Sequence, residues 1–394
     1  MANIMDYLDW REDLSFSAAP FNEVDNVILC KLCSADLSGI VPPDDDPMPI
    51  RHAVKGYFAA IKDPKRLGVF FPRETLALLR RLPAARRFRD CLLSNYVNKV
   101  GTERDGQFSA LTIDLGDGTS FVAFRGTDDT IVAWKENFNM SVYEEVPAQS
   151  KAKEYLCSLL MNSDRTVRAG GHSKGGNLAV YAAMNCPPEL QDRIIGVYNN
   201  DGPGFFRPVK DLPGYVRIRP KVLTLVPRHC IVGLLLNHEE EYQIVKCTHR
   251  GVAAHNGFTW EVRGAGFVRC NELSAQSELF ERAFQKWVMT LNEEGRRQFI
   301  DTLFAILTST GAETLTDLNE HRLRQALKIA NNLRRSPEDR KLLALSLKLL
   351  IREYVSCARE ILPLPEIRLK IQPRNNGERV NTGKPTAGGR PPKT

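Results

Sequence analysis

The sequence contains no apolar run of about 18 residues, so it predicts no membrane-spanning helix. Met1 to Leu14 carry Asp6, Asp9, Glu12 and Asp13 rather than a basic stretch and an apolar core, which argues against a Sec signal peptide. Cysteine is too scattered for a disulfide framework: there are nine, an odd number, without regular spacing. The one close pair, Cys30 and Cys33, has no second pair near it, so buried apolar thiols are expected rather than zinc ligands or a redox pair. Basic clusters interleaved with aromatics are missing, which excludes an evident nucleic-acid surface. No internal repeat is found. These absences leave a soluble, cytoplasmic protein for which neither metal nor cofactor nor nucleic-acid partner is expected.

What is present is enough apolar matter for a large core. The chain has 394 residues, 43% of them hydrophobic, with a net charge of +7. That length exceeds one typical domain. The sequence divides into an N-terminal segment (1–20), an α/β domain (21–271), a helical C-terminal region (272–371) and a disordered basic tail (372–394). In the tail Arg374, Arg379, Lys384, Arg390 and Lys393 oppose a single Glu378. Such a tail is a solvated end that makes at most weak contact with an anionic membrane surface.

Periodicity predicts a helix over 22–38, a Pro- and Asp-rich loop over 39–50, and two helices over 51–82 broken by Pro64 and Pro72. The segments 107–114 and 120–124 read as strands joined by the hairpin signal Asp117-Gly118. Further strands are expected at 166–169, 192–198, 222–226, 242–248 and 258–262, alternating with helices at 151–161 and after 174. A mixed sheet, antiparallel first and parallel later, with helices on both faces follows. Four helices are expected beyond 272, at 279–291, 293–307, 316–333 and 337–362.

The most informative stretch is Gly171-His172-Ser173-Lys174-Gly175, a match to the nucleophile-elbow pattern G-x-S-x-G. A strand turning sharply into a helix pushes the serine hydroxyl out of the sheet. Glycines two positions either side leave room where strand and helix crowd together.

A serine needs a base and an acid that orients the base. Of the histidines that follow, His255 is preferred, because it leaves a strand through a short loop; His249 is the alternative. Asp201, in Asn199-Asn200-Asp201-Gly202-Pro203-Gly204, sits at a strand end where sites assemble in open α/β sheets. The next strand-end loop, Val226 to Cys230, offers no carboxylate, and Glu239 to Glu241 read as a solvated face. Oxyanion donors are the backbone N–H of Lys174 and of Thr127, the latter on the strand-end turn Arg125-Gly126-Thr127.

Phe124-Arg-Gly-Thr127 followed by Gly171-His-Ser-Lys-Gly-Gly-Asn-Leu-Ala179 resembles the class 3 (fungal-type) lipases. The longer set of Phe21 to Asn26, Trp134-Lys-Glu136, Phe138-Asn-Met140, Asn200 to Phe205 and His255 to Trp260 resembles the Mbeg1-like family, a branch of the α/β-hydrolase superfamily, over roughly residues 20 to 268. The resemblance implies an α/β-hydrolase core with Ser173 as nucleophile and His255 as base. It supplies no substrate. The chain departs from the lipases in lacking an Asp near Val226-Pro227, and it has Asn256 beside His255. Two function classes follow: a lipase- or esterase-like serine hydrolase cleaving an ester of an acyl group, with Ile231 to Leu236 as a candidate acyl-pocket segment, or a silent scaffold of the same fold. Oligomeric state is not readable from the sequence.

Overall fold

The structure, a computed structural model, describes residues 1–61, 72–101, 106–320 and 322–361. The expected break at Pro64 and the basic tail lie outside these residues. An eight-stranded sheet runs in chain order: β1 (Met48–Pro49), β2 (Leu92–Val100), β3 (Gln107–Asp114), β4 (Thr119–Phe124), β5 (Thr166–His172), β6 (Ile194–Asn200), β7 (Val222–Pro227) and β8 (Tyr242–Val245). β1 to β4 pair antiparallel, and β4 to β8 pair parallel. The β3–β4 turn is made by Asp117, whose Oδ1 accepts the Thr119 N–H at 2.9 Å, and by Gly118 at φ +85°.

The α-helices before residue 272 are, among the described residues, α1 (Ile4–Arg11), α2 (Glu23–Leu32), α3 (Ile50–Ala60), α4 (Arg73–Arg81), α5 (Ile131–Asn139), α6 (Pro147–Met161), α7 (Lys174–Met184), α8 (Pro188–Gln191) and α9 (Pro213–Ile218). Right-handed crossovers between parallel strands laid down in one direction put their helices on one face of a sheet. On that face Leu156 of α6 and Leu178 of α7 pack with Val122, Phe124 and Val167. The opposite face is covered by the N-terminal helices: Val24, Val27 and Ile28 of α2 pack with Ile113, Phe121 and Ala123, and Ile4, Tyr7 and Leu8 of α1 join the same cluster. The period-two alternation of β4 feeds both cores. Asp25 and Arg87, both fully buried, pair at 2.6 Å, and the Tyr7 hydroxyl donates to Asp25 at 2.8 Å. This network ties α1 and α2 to the segment that enters β2.

Two expectations are corrected. The helix expected over 22–38 stops at Leu32, because the chain turns at Asp36, whose carboxylate accepts the Ser38 N–H at 3.0 Å. Residues 258–262 do not form a sheet strand. Asn256 Oδ1 accepts the Phe258 N–H at 3.2 Å and curls Gly257–Thr259 into a 3₁₀ turn. A separate two-stranded ribbon follows, β9 (Val262–Arg263) with β10 (Gly266–Phe267).

The C-terminal region is helical: α10 (Ala275–Thr290), α11 (Glu293–Thr308), α12 (Leu315–Glu320), α13 (Arg322–Arg335) and α14 (Pro337–Ile361), with the third expected helix described on either side of residue 321. Phe304 of α11 packs edge-on against Phe138 of α5 at 5.4 Å. The Leu315 N–H donates to Asp129 O at 2.9 Å, and the Ile131 N–H donates to Glu313 O at 2.9 Å. These contacts fasten the helices over the loop after β4. Among the described residues no helix is long and apolar enough to cross a membrane.

Candidate active site

Ser173 stands between the end of β5 and the start of α7 at φ +60°, ψ −136°, a conformation L-residues rarely adopt. Close backbone packing holds it there. A Cβ on Gly175 would meet Phe124 O at 2.1 Å, and one on Gly171 would meet Gly175 C at 2.1 Å. A Cβ on Gly202 would meet Ser173 O at 2.3 Å. The Ser173 N–H donates to Asn200 O at 3.0 Å. Asn200 in turn exchanges amide hydrogen bonds with Asn26 of α2 at 2.8 and 3.1 Å and donates to Gly171 O at 3.0 Å. The N-terminal helix thus braces the elbow from the far face.

Asp201 directly follows β6, fully buried and at φ +53°. Its Oδ2 accepts from His255 Nδ1 at 2.7 Å. Its Oδ1 accepts from the Cys230 thiol at 2.7 Å and from the Gly233 N–H at 3.0 Å. Burial and the Asp201 charge push the Cys230 thiol far up, so it stays protonated and donates. The loop that offers no carboxylate therefore supplies two donors to the carboxylate of its neighbour. His238 fixes Gly233 by bonding Gly233 O at 2.6 Å, and Glu240 Oε1 lies 3.2 Å from His238 Nδ1. The side chain of Glu240 is buried, contrary to the solvated face expected for 239–241. It accepts hydrogen bonds from Thr224 at 2.6 Å and Tyr215 at 2.9 Å. Burial raises its pKa, but the bonds from His238 and Thr224 outweigh this and hold the carboxyl down at about 2.

His255 closes a 3₁₀ turn, Gly251–His255, that Trp260 locks by donating from its indole to Ala254 O at 2.9 Å. His249, the alternative base, bonds Thr248 Oγ1 at 2.8 Å and is not brought to Asp201. Elbow geometry alone would turn His172, next to the serine, away from the site. Instead its ring lies 4.3 Å from that of His255, and its Nε2 bonds His255 O at 2.7 Å. Burial, with Lys31 and His255 adding to it, holds His172 well below the usual histidine range, so it is neutral near pH 7.

Gly126 lies against the elbow, where a Cβ would meet His172 O at 2.6 Å. The next residue, Thr127, accepts from Asn137 Nδ2 at 2.6 Å through its hydroxyl oxygen. The N–H of Lys174 is in the first turn of α7, where donors have no intrahelical acceptor. The Lys174 side chain runs into the core, where Nζ bonds Glu136 Oε2 at 2.6 Å and Gln107 O at 2.9 Å. Burial lowers the Lys174 pKa and Glu136 opposes that fall. This buried pair holds the start of α7 against α5 and β3.

Ser173, His255, Thr127 and Lys174 line one cavity of about 1110 Å³. Ile231, Val232, Leu235 and Leu236 also line it, and Phe284, Trp287, Leu303 and Leu350 from α10, α11 and α14 extend it. Among the described residues no group of acids, histidines and cysteines could hold a metal ion. Sequence reasoning missed Cys230, Gly233, His238 and Asn26 because their roles depend on distant partners. Asn26 and Glu136 did stand in segments that carried the resemblance. No curated protein and no solved structure matches the chain. A profile of the Mbeg1-like family matches residues 82–305 and spans Thr127, Ser173, Asp201 and His255. That match covers more than half of the sequence, and the chain belongs to the Mbeg1-like family.

Proposed function

We propose that this chain is a serine hydrolase that cleaves carboxylic esters of apolar acyl groups. One observation carries the reading. Asp201 takes Nδ1 of His255 and leaves Nε2 as the free nitrogen, on the wall that His255 shares with the strained Ser173. In the mechanism Ser173 Oγ attacks the ester carbonyl and its proton passes to His255 Nε2. Asp201 stabilises the imidazolium and fixes the tautomer. The N–H groups of Lys174 and Thr127 hold the oxyanion. The Thr127 hydroxyl, whose oxygen is occupied by Asn137, keeps its proton available for the same charge. Collapse of the tetrahedral adduct expels the alcohol, which takes the proton from His255. Water, activated by the same ring, then releases the acid and restores the serine.

On this reading residues 21–271 form the hydrolase domain and 272–371 a helical region that completes the cavity. The buried cysteine thiols suit a reducing cytoplasm. A fluorophosphonate probe tests the proposal: it should label wild-type protein at Ser173 and leave Ser173→Ala unlabelled. Folded wild-type protein that resists the probe at neutral pH would instead be a scaffold of this fold.

A further inference from the structure

The cavity has four cations on its wall, and three are engaged. Lys174 pairs with Glu136 at 2.6 Å. Arg125 donates to Asn98 at 2.9 Å and Asp128 at 3.3 Å. Arg296 donates to Val288 O at 3.0 Å and lies over the Phe206 ring at 4.5 Å. The fourth, Lys31 on α2, is 4% exposed. Among the described residues no acceptor lies within hydrogen-bonding distance of its Nζ. The Nζ stands 5.9 Å from the centre of the Phe258 ring. A buried ammonium without an acceptor is costly, and this one opens onto a cavity that Ser173 also lines.

The stem of Lys31 is held in place. A Cβ on Gly257 would meet Lys31 Cε at 3.5 Å, so the side chain runs beside the turn that follows His255. The charge therefore stands near the His172 and His255 rings, and it helps keep His172 neutral. Burial draws the Lys31 ammonium down to about 8, so near pH 7 it is still mostly charged. The buried Asp201 and Glu74, exposed on the same wall, favour its charged form from a distance, but neither forms an ion pair or hydrogen bond with it. Beyond the elbow the lining changes character, with Phe280, Phe284, Trp287, Leu303, Leu347 and Leu350 forming an apolar wall. The volume, about 1110 Å³, exceeds that of a typical small-ligand pocket and suits a long chain.

We propose that Lys31 anchors an anionic group of the substrate. The substrate is then an anionic amphiphile: an ester joining a long apolar chain to a second half that carries a carboxylate or phosphate. The chain lies along the helical wall and the anion meets Nζ, with the ester between them at Ser173. This inference rests on the hydrolase reading. It adds a specificity determinant outside the stretch that matches the family, since Lys31 precedes residue 82.

Three esters with one acyl group test it: p-nitrophenyl decanoate, 4-(decanoyloxy)benzoate and 4-(decanoyloxy)phenyl phosphate. In Lys31→Met the preference for the anionic esters over the neutral one, as a ratio of kcat/KM, should fall about tenfold or more. Lys31→Arg should keep that preference. The two anionic arms separate carboxylate from phosphate recognition. An unchanged ratio, in Lys31→Met that the fluorophosphonate labels as fast as wild type, overturns the anchor. Should Lys31→Met not fold, wild type decides: decyl phosphate must slow labelling of Ser173 more than decanol does, and equal protection overturns the proposal. Wild type that does not label at all sinks the hydrolase reading instead. The anchor is then judged by whether decyl phosphate, and not decanol, changes the fluorescence of Trp134 and Trp287 in wild type.

Discussion

The sheet around the elbow and the C-terminal helices bury apolar surface by different means. Around the elbow the backbone itself is in contact. Glycines bring α7 onto β4 and β5, and the buried polar groups are joined in networks such as Asp25–Arg87–Tyr7 and Lys174–Glu136–Gln107. In the helical region, apart from the backbone bonds of Ile131 and Leu315, contact is made mainly by side chains, and much apolar surface is left over. Leu323, Leu327, Leu345 and Ile351 are exposed, while Leu303, Leu347 and Leu350 face the cavity. A backbone-packed core holds reacting groups in fixed geometry. A side-chain-packed roof can line a roomy apolar cavity at little cost to the fold.

That contrast can be broken from the core side first. On the proposed mechanism Ser173→Ala should lower ester hydrolysis by about 10⁶-fold while thermal stability is kept, since it removes only the hydroxyl and leaves the backbone of the bend as it is. Asp201→Asn should lower kcat by about 10⁴-fold, through loss of the correct histidine tautomer, with KM little changed. Arg87→Met, far from the cavity, strands the Asp25 carboxylate and should cost about 3–5 kcal/mol in urea unfolding. From the helical side the effects are smaller. Leu303→Trp fills part of the cavity and should shift preference toward shorter acyl chains by about tenfold, read from kcat/KM across a chain-length series. Leu327→Gln, on an exposed helix face, should change stability by less than about 0.5 kcal/mol.

Acid sharpens the same contrast. The folded-state pKa of Glu240 is depressed, so its contribution to stability is present above the ordinary value of 4.5. It is lost as pH falls toward about 2. Denaturation between those values should loosen the Gly233 loop behind Asp201. Glu240→Gln should flatten that part of the stability–pH profile, and an unaltered profile would place the acid sensitivity elsewhere.

Much of this was legible along the chain because it depends on near neighbours. The Asp117-Gly118 hairpin, the alternation in β4 and the glycines flanking Ser173 all act within a few residues, and they announced the mixed sheet and the elbow. Asp201 was legible as a strand-end acid. Its donors were not, because Cys230 and Gly233 approach it only after β7 is laid beside β6. The segment 258–262 misled because Phe258, Trp260 and Val262 alternate as a strand would, whereas a side-chain cap at Asn256 and the Trp260 indole bond bend it into a turn.

The sequence by itself determined where the chain turns, which faces are apolar, and that a serine stands on a tight bend between strand and helix. Each of these follows from local sterics and from side-chain period. Only the tertiary structure decided which carboxylate meets which imidazole, why His172 and Lys31 come to the same cavity, and that the C-terminal helices build its apolar wall. Those are contacts between residues far apart in sequence, set by how sheet, N-terminal helices and C-terminal helices exclude water together.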